Sequence, residues 1–166
     1  MTELKLLDRE SIPSALSKAE RYRLLNQPWE AESIYLDILE IEPAHAEALV
    51  GLLLAITDQF ADAPSDGVAR ARTLLPRLQS EYEAAYYAGI ICERRAKVVL
   101  SQARPGFGGM PHELLLEAQD WYQRAEALSS AGNDDAKLRW NACERLVKRY
   151  PRVLSVAEDR FEPYAD

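Results

Sequence analysis

Apolar residues recur along almost the whole chain at steps of three and four, which is the spacing of an amphipathic helix. No stretch alternates well enough to predict a sheet. Helix-breaking residues and segments interrupt this pattern, among them Pro43, DAPSDG at 62–67 and RPGFGGMP at 104–111. The pattern therefore predicts an all-α fold with helices over residues 11–26, 28–41, 44–60, 66–79, 81–102, 111–129 and 134–149. Seven helices joined by short loops can form either a bundle or a solenoid of stacked helix pairs.

One spacing of small and aromatic residues occurs twice in this helical pattern. The first copy is Ala31, Tyr35 and Ile38, and the second is Ala118, Tyr122 and Ala125. A small residue lets a helix lie close to its partner, while the ring one turn later fills the gap between them. A device of this kind that recurs along the chain indicates stacked helical repeats.

The segment RYRLLNQPWEAESIYLDILEIEPAHAEAL resembles a tetratricopeptide repeat, with Tyr22 in the first helix, Ala31 and Tyr35 in the second, and Pro43 closing the unit. The resemblance implies a right-handed α-solenoid of three helix pairs and a capping helix. Its parts are an N-terminal extension (1–10), a repeat domain (11–149) with units at about 12–45, 46–80 and 81–130 and a cap at 134–149, and a C-terminal tail (150–166). Pro76 lies within a helix of the second unit and should kink or end it.

Repeat arrays of this family expose a concave groove that is lined by the first helix of each pair. The resemblance implies groove positions at Leu16, Glu20, Arg23, Val50, Leu54, Thr57, Tyr86, Ile90, Glu93, Lys137, Asn141 and Arg145. It thus implies a non-enzymatic scaffold or adaptor that binds a peptide or helix of another protein, with Lys137 and Arg145 orienting an acidic group. The alternative for any of these side chains is a place in the core.

The glycine-rich insert before the sixth predicted helix carries two large apolar residues, Phe107 and Met110. They either pack back onto the helices or contact a partner. The tail carries Phe161 and Tyr164 among acids and either docks on the array or serves as a short binding segment.

Charge narrows the choice of partner, because 27 acidic residues against 20 basic ones give a net charge of −7. A nucleic-acid partner is disfavoured by this balance. Between Arg23 and Arg70 the chain has nine carboxylates and no Lys or Arg, which predicts either a solvated face or an acidic patch for a basic partner. A second hypothesis follows, in which the protein is a self-associating structural subunit or an assembly or secretion chaperone, its acidic first repeat meeting the more basic C-terminal half of a neighbour.

No arrangement of residues predicts catalysis, a metal site or a cofactor. The sequence lacks a recognisable nucleophile–base motif, and neither Cys92 nor Cys143 lies at metal-ligand spacing from another Cys or His. Both cysteines sit among apolar residues and are expected to be buried thiols. Three tryptophans at helical positions, Trp29, Trp121 and Trp140, are expected to pack in the core or between repeats.

The longest apolar run, ALVGLLLAI at 48–56, is much shorter than the ~20 residues that a membrane span requires. Acidic residues interrupt the N-terminal segment where a signal peptide needs an apolar stretch. The sequence therefore predicts a cytoplasmic protein with no membrane partner.

Overall fold

A computed structural model of the protein describes residues 3–62, 66–102 and 109–150. These residues form seven α-helices: α1 (Ile12–Leu24), α2 (Pro28–Ile41), α3 (Ala46–Asp58), α4 (Gly67–Leu74), α5 (Glu81–Gln102), α6 (Met110–Leu128) and α7 (Asp135–Arg149). Two short 3₁₀ turns, Arg9–Ser11 and Leu75–Arg77, precede α1 and follow α4. Within each unit, helices that are neighbours in the chain pack antiparallel to one another, and the predicted all-α class is confirmed.

The chain divides into two compact units, Met1–Ser80 and Glu81–Asp166, and the division falls between the second and third of the predicted helix pairs. In the first unit, α2 packs against both α1 and α3, and α4 packs against α3. In the second unit, α6 packs against both α5 and α7. In each unit, therefore, the helix that carries the repeated alanine–tyrosine spacing packs against two others.

The predicted ends of the helices agree with the structure to within two residues, except at the end of α4. This helix was predicted to run to residue 79, but it stops at Leu74 and continues as the 3₁₀ turn Leu75–Arg77. Pro76 lies in that turn and has no N–H for a helical hydrogen bond, so the predicted effect of this proline is confirmed. The Nη2 atom of Arg77 donates to the Pro43 carbonyl at 2.8 Å and holds the end of α4 against the α2–α3 loop.

The turn after α1 contains a residue in the left-handed conformation, Asn26, with φ of 56°. Its N–H bonds to the Arg23 carbonyl at 3.0 Å, and the N–H of Gln27 bonds to the Tyr22 carbonyl at 2.9 Å. This pair of bonds forms a Schellman turn, which satisfies the last carbonyls of a helix. In the described part of the second unit, Gly132 between α6 and α7 has a positive φ, of 85°.

Both tyrosines of the repeated spacing lie directly over a glycine of a neighbouring helix. A Cβ atom added to Gly51 of α3 would come closer than 3.0 Å to the Tyr35 ring, and one added to Gly89 of α5 would do the same to the Tyr122 ring. Glycine is thus required at both positions for the helices to approach this closely. The order differs between the units, because Tyr35 meets the helix that follows its own, whereas Tyr122 meets the helix that precedes it.

The first unit buries a carboxylate, Glu32 of α2, which is 8% exposed. Its Oε2 atom accepts a hydrogen bond from Gln59 Nε2 at 2.6 Å, and its Oε1 atom is paired with the Arg70 guanidinium. These bonds link α2 to the end of α3 and to α4, and they satisfy an acid that would otherwise be costly to bury.

The expectations for cysteine and tryptophan had different outcomes. Cys92 and Cys143 are buried thiols, as predicted. The prediction for Trp29 was wrong, since it is the second residue of α2 and its side chain is 68% exposed. Trp121 and Trp140 are partly buried, and the Arg124 guanidinium lies 4.6 Å from the centre of the Trp121 ring.

Candidate protein-binding surfaces

The first candidate surface lies where α1 and α3 meet in the first unit. Leu16, Glu20 and Arg23 follow one another along α1 at steps of four and three, so they share one stripe of the helix. The Nε atom of Arg23 donates to Asp58 Oδ2 of α3 at 2.8 Å. A surface cavity of about 250 Å³ opens here, lined by Glu20, Arg23, Leu24, Asn26 and Asp58.

Arg23 also holds the ring of the core tyrosine in this unit. Its guanidinium lies close enough to the Tyr35 hydroxyl to interact with it electrostatically. Burial raises the pKa of Tyr35 above its ordinary value, and the charge of Arg23 opposes that rise. Arg23 is therefore tied to two groups, and a partner at this surface would meet an arginine that is already ordered.

Val50 and Leu54 of α3 are partly exposed, one turn apart, and Asp58 lies one turn further along the same stripe. The next predicted groove residue, Thr57, is 3% exposed, and its hydroxyl bonds to the Leu54 carbonyl at 2.9 Å. Thr57 therefore belongs to the core. The accessible stripe of α3 consists of the apolar residues Val50 and Leu54, followed by Asp58, which pairs with Arg23.

The second candidate surface is a cluster of partly exposed tyrosines on α5, which we call the α5 tyrosine cluster: Tyr82, Tyr86 and Tyr87. The Tyr82 and Tyr86 rings stack with their centres 5.9 Å apart, and the Tyr87 ring stands edge-on to Tyr86 at 5.2 Å. Tyr86 also contacts the buried ring of Tyr122 at 5.8 Å. Such ring pairs stabilise one another beyond the area that they bury.

Two polar side chains further order the tyrosine cluster. The Asn133 side chain is hydrogen-bonded to Tyr82, and the Arg139 guanidinium is hydrogen-bonded to Tyr86. Arg139 was not among the predicted groove residues. The spacing of the buried residues Ala136 and Cys143 places Arg139 on the packed side of α7, and that spacing is readable from the sequence.

The residues of α7 that were predicted to line the groove are all exposed: Lys137, Asn141 and Arg145. They follow one stripe of the helix at steps of four. The Nζ atom of Lys137 lies 2.7 Å from Asp134 Oδ1 and 4.0 Å from Glu126 Oε1, so this cation is partly neutralised by acids of its own unit.

Ile90 and Glu93 are corrections to the predicted groove, because each is only 1% exposed. Ile90 is a core residue of α5. Glu93 accepts a hydrogen bond from the Tyr122 hydroxyl at 2.6 Å on Oε2, while Lys97 is paired with its Oε1 and Arg139 lies 3.5 Å from the same oxygen. The carboxylate thus joins α5, α6 and α7 from within, and a partner cannot reach it.

The remaining predicted contacts lie next to the glycine-rich insert and in the tail. Met110 is the first residue of α6 and is 44% exposed. Phe107 lies outside the described residues, as does the tail from residue 151 onward with Phe161 and Tyr164.

Within the described residues, no group of three or more His, Cys, Asp and Glu side chains could hold a metal ion. No helix in this part of the chain combines the length and apolar character that crossing a membrane requires. Burial, reinforced by the charge of Glu93, raises the pKa of the Cys143 thiol to about 12. A thiol with such a pKa is protonated at neutral pH and is a poor nucleophile.

The sequence matches no family model, and comparison with curated proteins and with solved structures finds no significant similarity.

Proposed function

We propose that the protein is a non-enzymatic interaction module that binds a peptide or helical segment of another protein. Its architecture in this proposal is that of tetratricopeptide arrays, three helix pairs and a capping helix in a right-handed solenoid. The two alanine–tyrosine helices, each between two others, support this arrangement. Binding would use two surfaces: Leu16, Glu20, Arg23, Val50 and Leu54 in the first unit, and the tyrosine cluster with the stripe Lys137, Asn141 and Arg145 in the second.

The observation that carries this proposal is the order of the α5 tyrosine cluster. Tyrosine offers a large apolar ring with a polar tip, and it loses little conformational freedom when a partner immobilises it. Here stacking and the bonds from Asn133 and Arg139 already limit that freedom. The basic side chains of Lys137 and Arg145 on α7 of the same unit suit a partner segment that also carries an acid.

A site-specific photocrosslinker at position 82 tests the proposal in cells that express the protein. Benzoylphenylalanine in place of Tyr82 keeps an aromatic ring, and Tyr82 is preferable to Tyr86 because Tyr86 contacts the core ring of Tyr122. The matched control carries the crosslinker at Leu128, an exposed residue of α6.

We expect mass spectrometry to identify a covalent adduct with one protein from position 82 and not from position 128. Charge reversal by Lys137→Glu with Arg145→Glu should weaken that adduct if the partner is acidic. Identical adducts from both positions, or none from position 82, would contradict binding at the tyrosine cluster.

Charge distribution favours self-association as a second candidate function. Residues 1–66 carry 13 acids and 5 bases, whereas the exposed stripe of α7 carries Lys137, Arg145 and Lys148. The acidic region of one copy would then meet the basic stripe of another. Light scattering should in that case report oligomers that dissociate as salt is added. A monomer at every salt concentration would exclude this candidate.

A further inference from the structure

The side of α2 that faces away from α1 and α3 exposes two large apolar residues. Trp29 is 68% exposed and Leu36 is 48% exposed, whereas Ala31, Tyr35 and Ile38 of the same helix are buried. Seven residues correspond to two turns, so Trp29 and Leu36 lie on one stripe about 10 Å apart. Single exposed apolar residues are ordinary, but a contiguous apolar patch marks an interaction site, so the question is whether other apolar residues adjoin these two.

The N-terminal segment extends this apolar stripe. Leu4 and Leu6 are 88% and 73% exposed. They border a surface cavity of about 400 Å³, whose lining is Glu3, Leu4, Lys5, Leu6, Leu36, Asp37 and Glu40. A second cavity of about 320 Å³ shares Asp37 and continues between α1 and α2 past Ala15 and Ile34. We call the set Leu4, Leu6, Trp29, Leu36, Asp37 and Glu40 the outer α2 surface.

The acids of this surface are placed unfavourably for the protein alone. Asp37 and Glu40 lie near the C-terminal end of α2, where the helix dipole is negative and where cations are preferred. The last turn of α2 has no basic residue. Among the described residues, neither carboxylate has a cation within ion-pair distance. Lys5 lines the first cavity with both acids and Lys18 lines the second with Asp37, but neither lysine forms an ion pair with them in the described part of the chain, so both carboxylates remain available to a cationic partner.

We propose that the outer α2 surface binds a basic amphipathic helix of another protein. Apolar residues of that helix, spaced i and i+7, would cover Leu36 and Trp29, and its Lys and Arg side chains would neutralise Asp37 and Glu40. This surface shares no residue with the two surfaces of the proposed function, so it would be a separate site. A helix provides both features on one face, because residues three, four and seven apart lie side by side.

The basic helix α7 of a second copy fits this surface less well. Its exposed stripe is cationic, but Leu138 is the one large apolar residue within α7 that is strongly exposed. The outer α2 surface presents two apolar anchors two turns apart, and one leucine leaves the other anchor uncovered. A helix of a different protein with two apolar residues two turns apart would cover both Trp29 and Leu36.

The test uses a synthetic 14-residue peptide of leucine and lysine, patterned so that the leucines occupy one helix face. The control peptide has the same composition in an order that gives no apolar face. Titration calorimetry measures Kd for the full-length protein and for three variants, Leu36→Ser, the pair Asp37→Asn with Glu40→Gln, and Leu128→Ser. Leu128 is the matched control because it is 47% exposed, nearly the same as Leu36, but lies on α6.

We expect the patterned peptide to bind the wild type, and Leu36→Ser and the double variant each to weaken binding by about tenfold. Leu128→Ser should leave Kd unchanged. The double variant without peptide should unfold at the same temperature as the wild type or slightly above it, since two acids leave a helix C-terminus. This last readout separates a binding role of the acids from a structural one.

Four results would overturn the proposal. They are equal Kd values for Leu36→Ser and Leu128→Ser, equal binding of both peptides, and a lower unfolding temperature in the double variant. The fourth is self-association in sedimentation experiments that Leu36→Ser abolishes, because a second copy would then be the occupant. Circular dichroism confirms that each variant is folded before titration.

Discussion

The two units use the same pairing of tyrosine and glycine but bury it to different depths. In the first unit, the hydroxyl end of Tyr35 meets Arg23, whose side chain is 20% exposed, and the buried Glu32 is paired with Arg70, whose side chain is 41% exposed. In the second unit, Tyr122 is fully buried and its hydroxyl donates to Glu93, which is buried as well. The cations that pair with the two glutamates are similarly exposed, 41% for Arg70 in the first unit and 46% and 41% for Lys97 and Arg139 in the second, but the Tyr122 hydroxyl and the Glu93 carboxylate are themselves enclosed. The second unit should therefore tolerate change less well.

The largest expected difference concerns the two buried glutamates. Glu93→Ala leaves the fully buried Tyr122 hydroxyl without its acceptor, while Lys97 and Arg139 are exposed enough to be hydrated, so we expect a loss of about 2–3 kcal/mol in the stability of the second unit. Glu32→Ala should cost about 1–2 kcal/mol, because Arg70 can be hydrated. Native-state hydrogen exchange measures the opening free energy of the α5–α6 amides separately from that of the α2–α3 amides. Similar losses of stability for both variants would show that the difference in burial between Glu93 and Glu32 does not affect the stability of the two units.

The next difference concerns the glycines beneath the two rings. Gly89→Ala forces a methyl group against a ring that is enclosed and held at its hydroxyl, so we expect a loss of about 2 kcal/mol. Gly51→Ala should cost about 1 kcal/mol or less, since the hydroxyl end of Tyr35 can shift and alanine favours the helix. Urea unfolding of each variant measures this, with Gly109→Ala as control because its Cβ would meet no atom within 4 Å. A larger loss for Gly51→Ala would reverse the comparison.

The helix boundaries could be predicted from sequence because they depend on local patterns, such as apolar spacing and the proline in α4. The packing contacts of the two tyrosine rings could not be predicted, because the helix that each ring meets is set by packing between segments that are distant in sequence. Gly51 and Gly89 lie inside helices, where glycine otherwise only weakens the structure. The resemblance predicts a groove position for Glu93 from repeat spacing alone, and that spacing does not reveal the partners on α6 and α7 that hold its carboxylate in the core. The helical position of Trp29 predicts packing in the core or between repeats, but its place at the start of α2 leaves it uncovered.

Alkaline pH should affect the second unit through Cys143. Burial and Glu93 raise the pKa of this thiol from 9.0 to about 12 in the folded protein. Because the folded pKa is the higher one, the stabilisation is complete below pH 9 and is lost as the pH rises toward 12. The loss is at most about 1.4 kcal/mol per pH unit.

Thermal unfolding followed by circular dichroism at about pH 8 and about pH 10.5 measures this loss. Cys143→Ala should reduce the fall in unfolding temperature between the two conditions. An unchanged fall would assign the alkaline sensitivity to other groups, since burial also raises the pKa of Tyr35 and Tyr122.

The smallest difference concerns the two residues with positive φ. Asn26→Gly removes the strain of a side chain in the left-handed conformation and should stabilise the first unit by about 0.5 kcal/mol. Gly132→Ala introduces such strain and should destabilise the second unit by about 1 kcal/mol. Differential scanning calorimetry of the two variants should give shifts of opposite sign. Shifts of the same sign would indicate that neither turn controls the stability of its unit.

The contact between each tyrosine and its glycine also has a consequence for how this sequence can drift over generations. A larger residue at position 89 fits only after position 122 has become smaller, whereas a larger residue at position 51 requires the hydroxyl end of Tyr35 to shift or to be lost. Neither change is neutral alone, so the two members of a pair must be exchanged together or in a fixed order. Since the partners are 16 residues apart in one unit and 33 in the other, recombination within a unit can separate them. Such recombinants would carry a tyrosine ring without the glycine against which it packs.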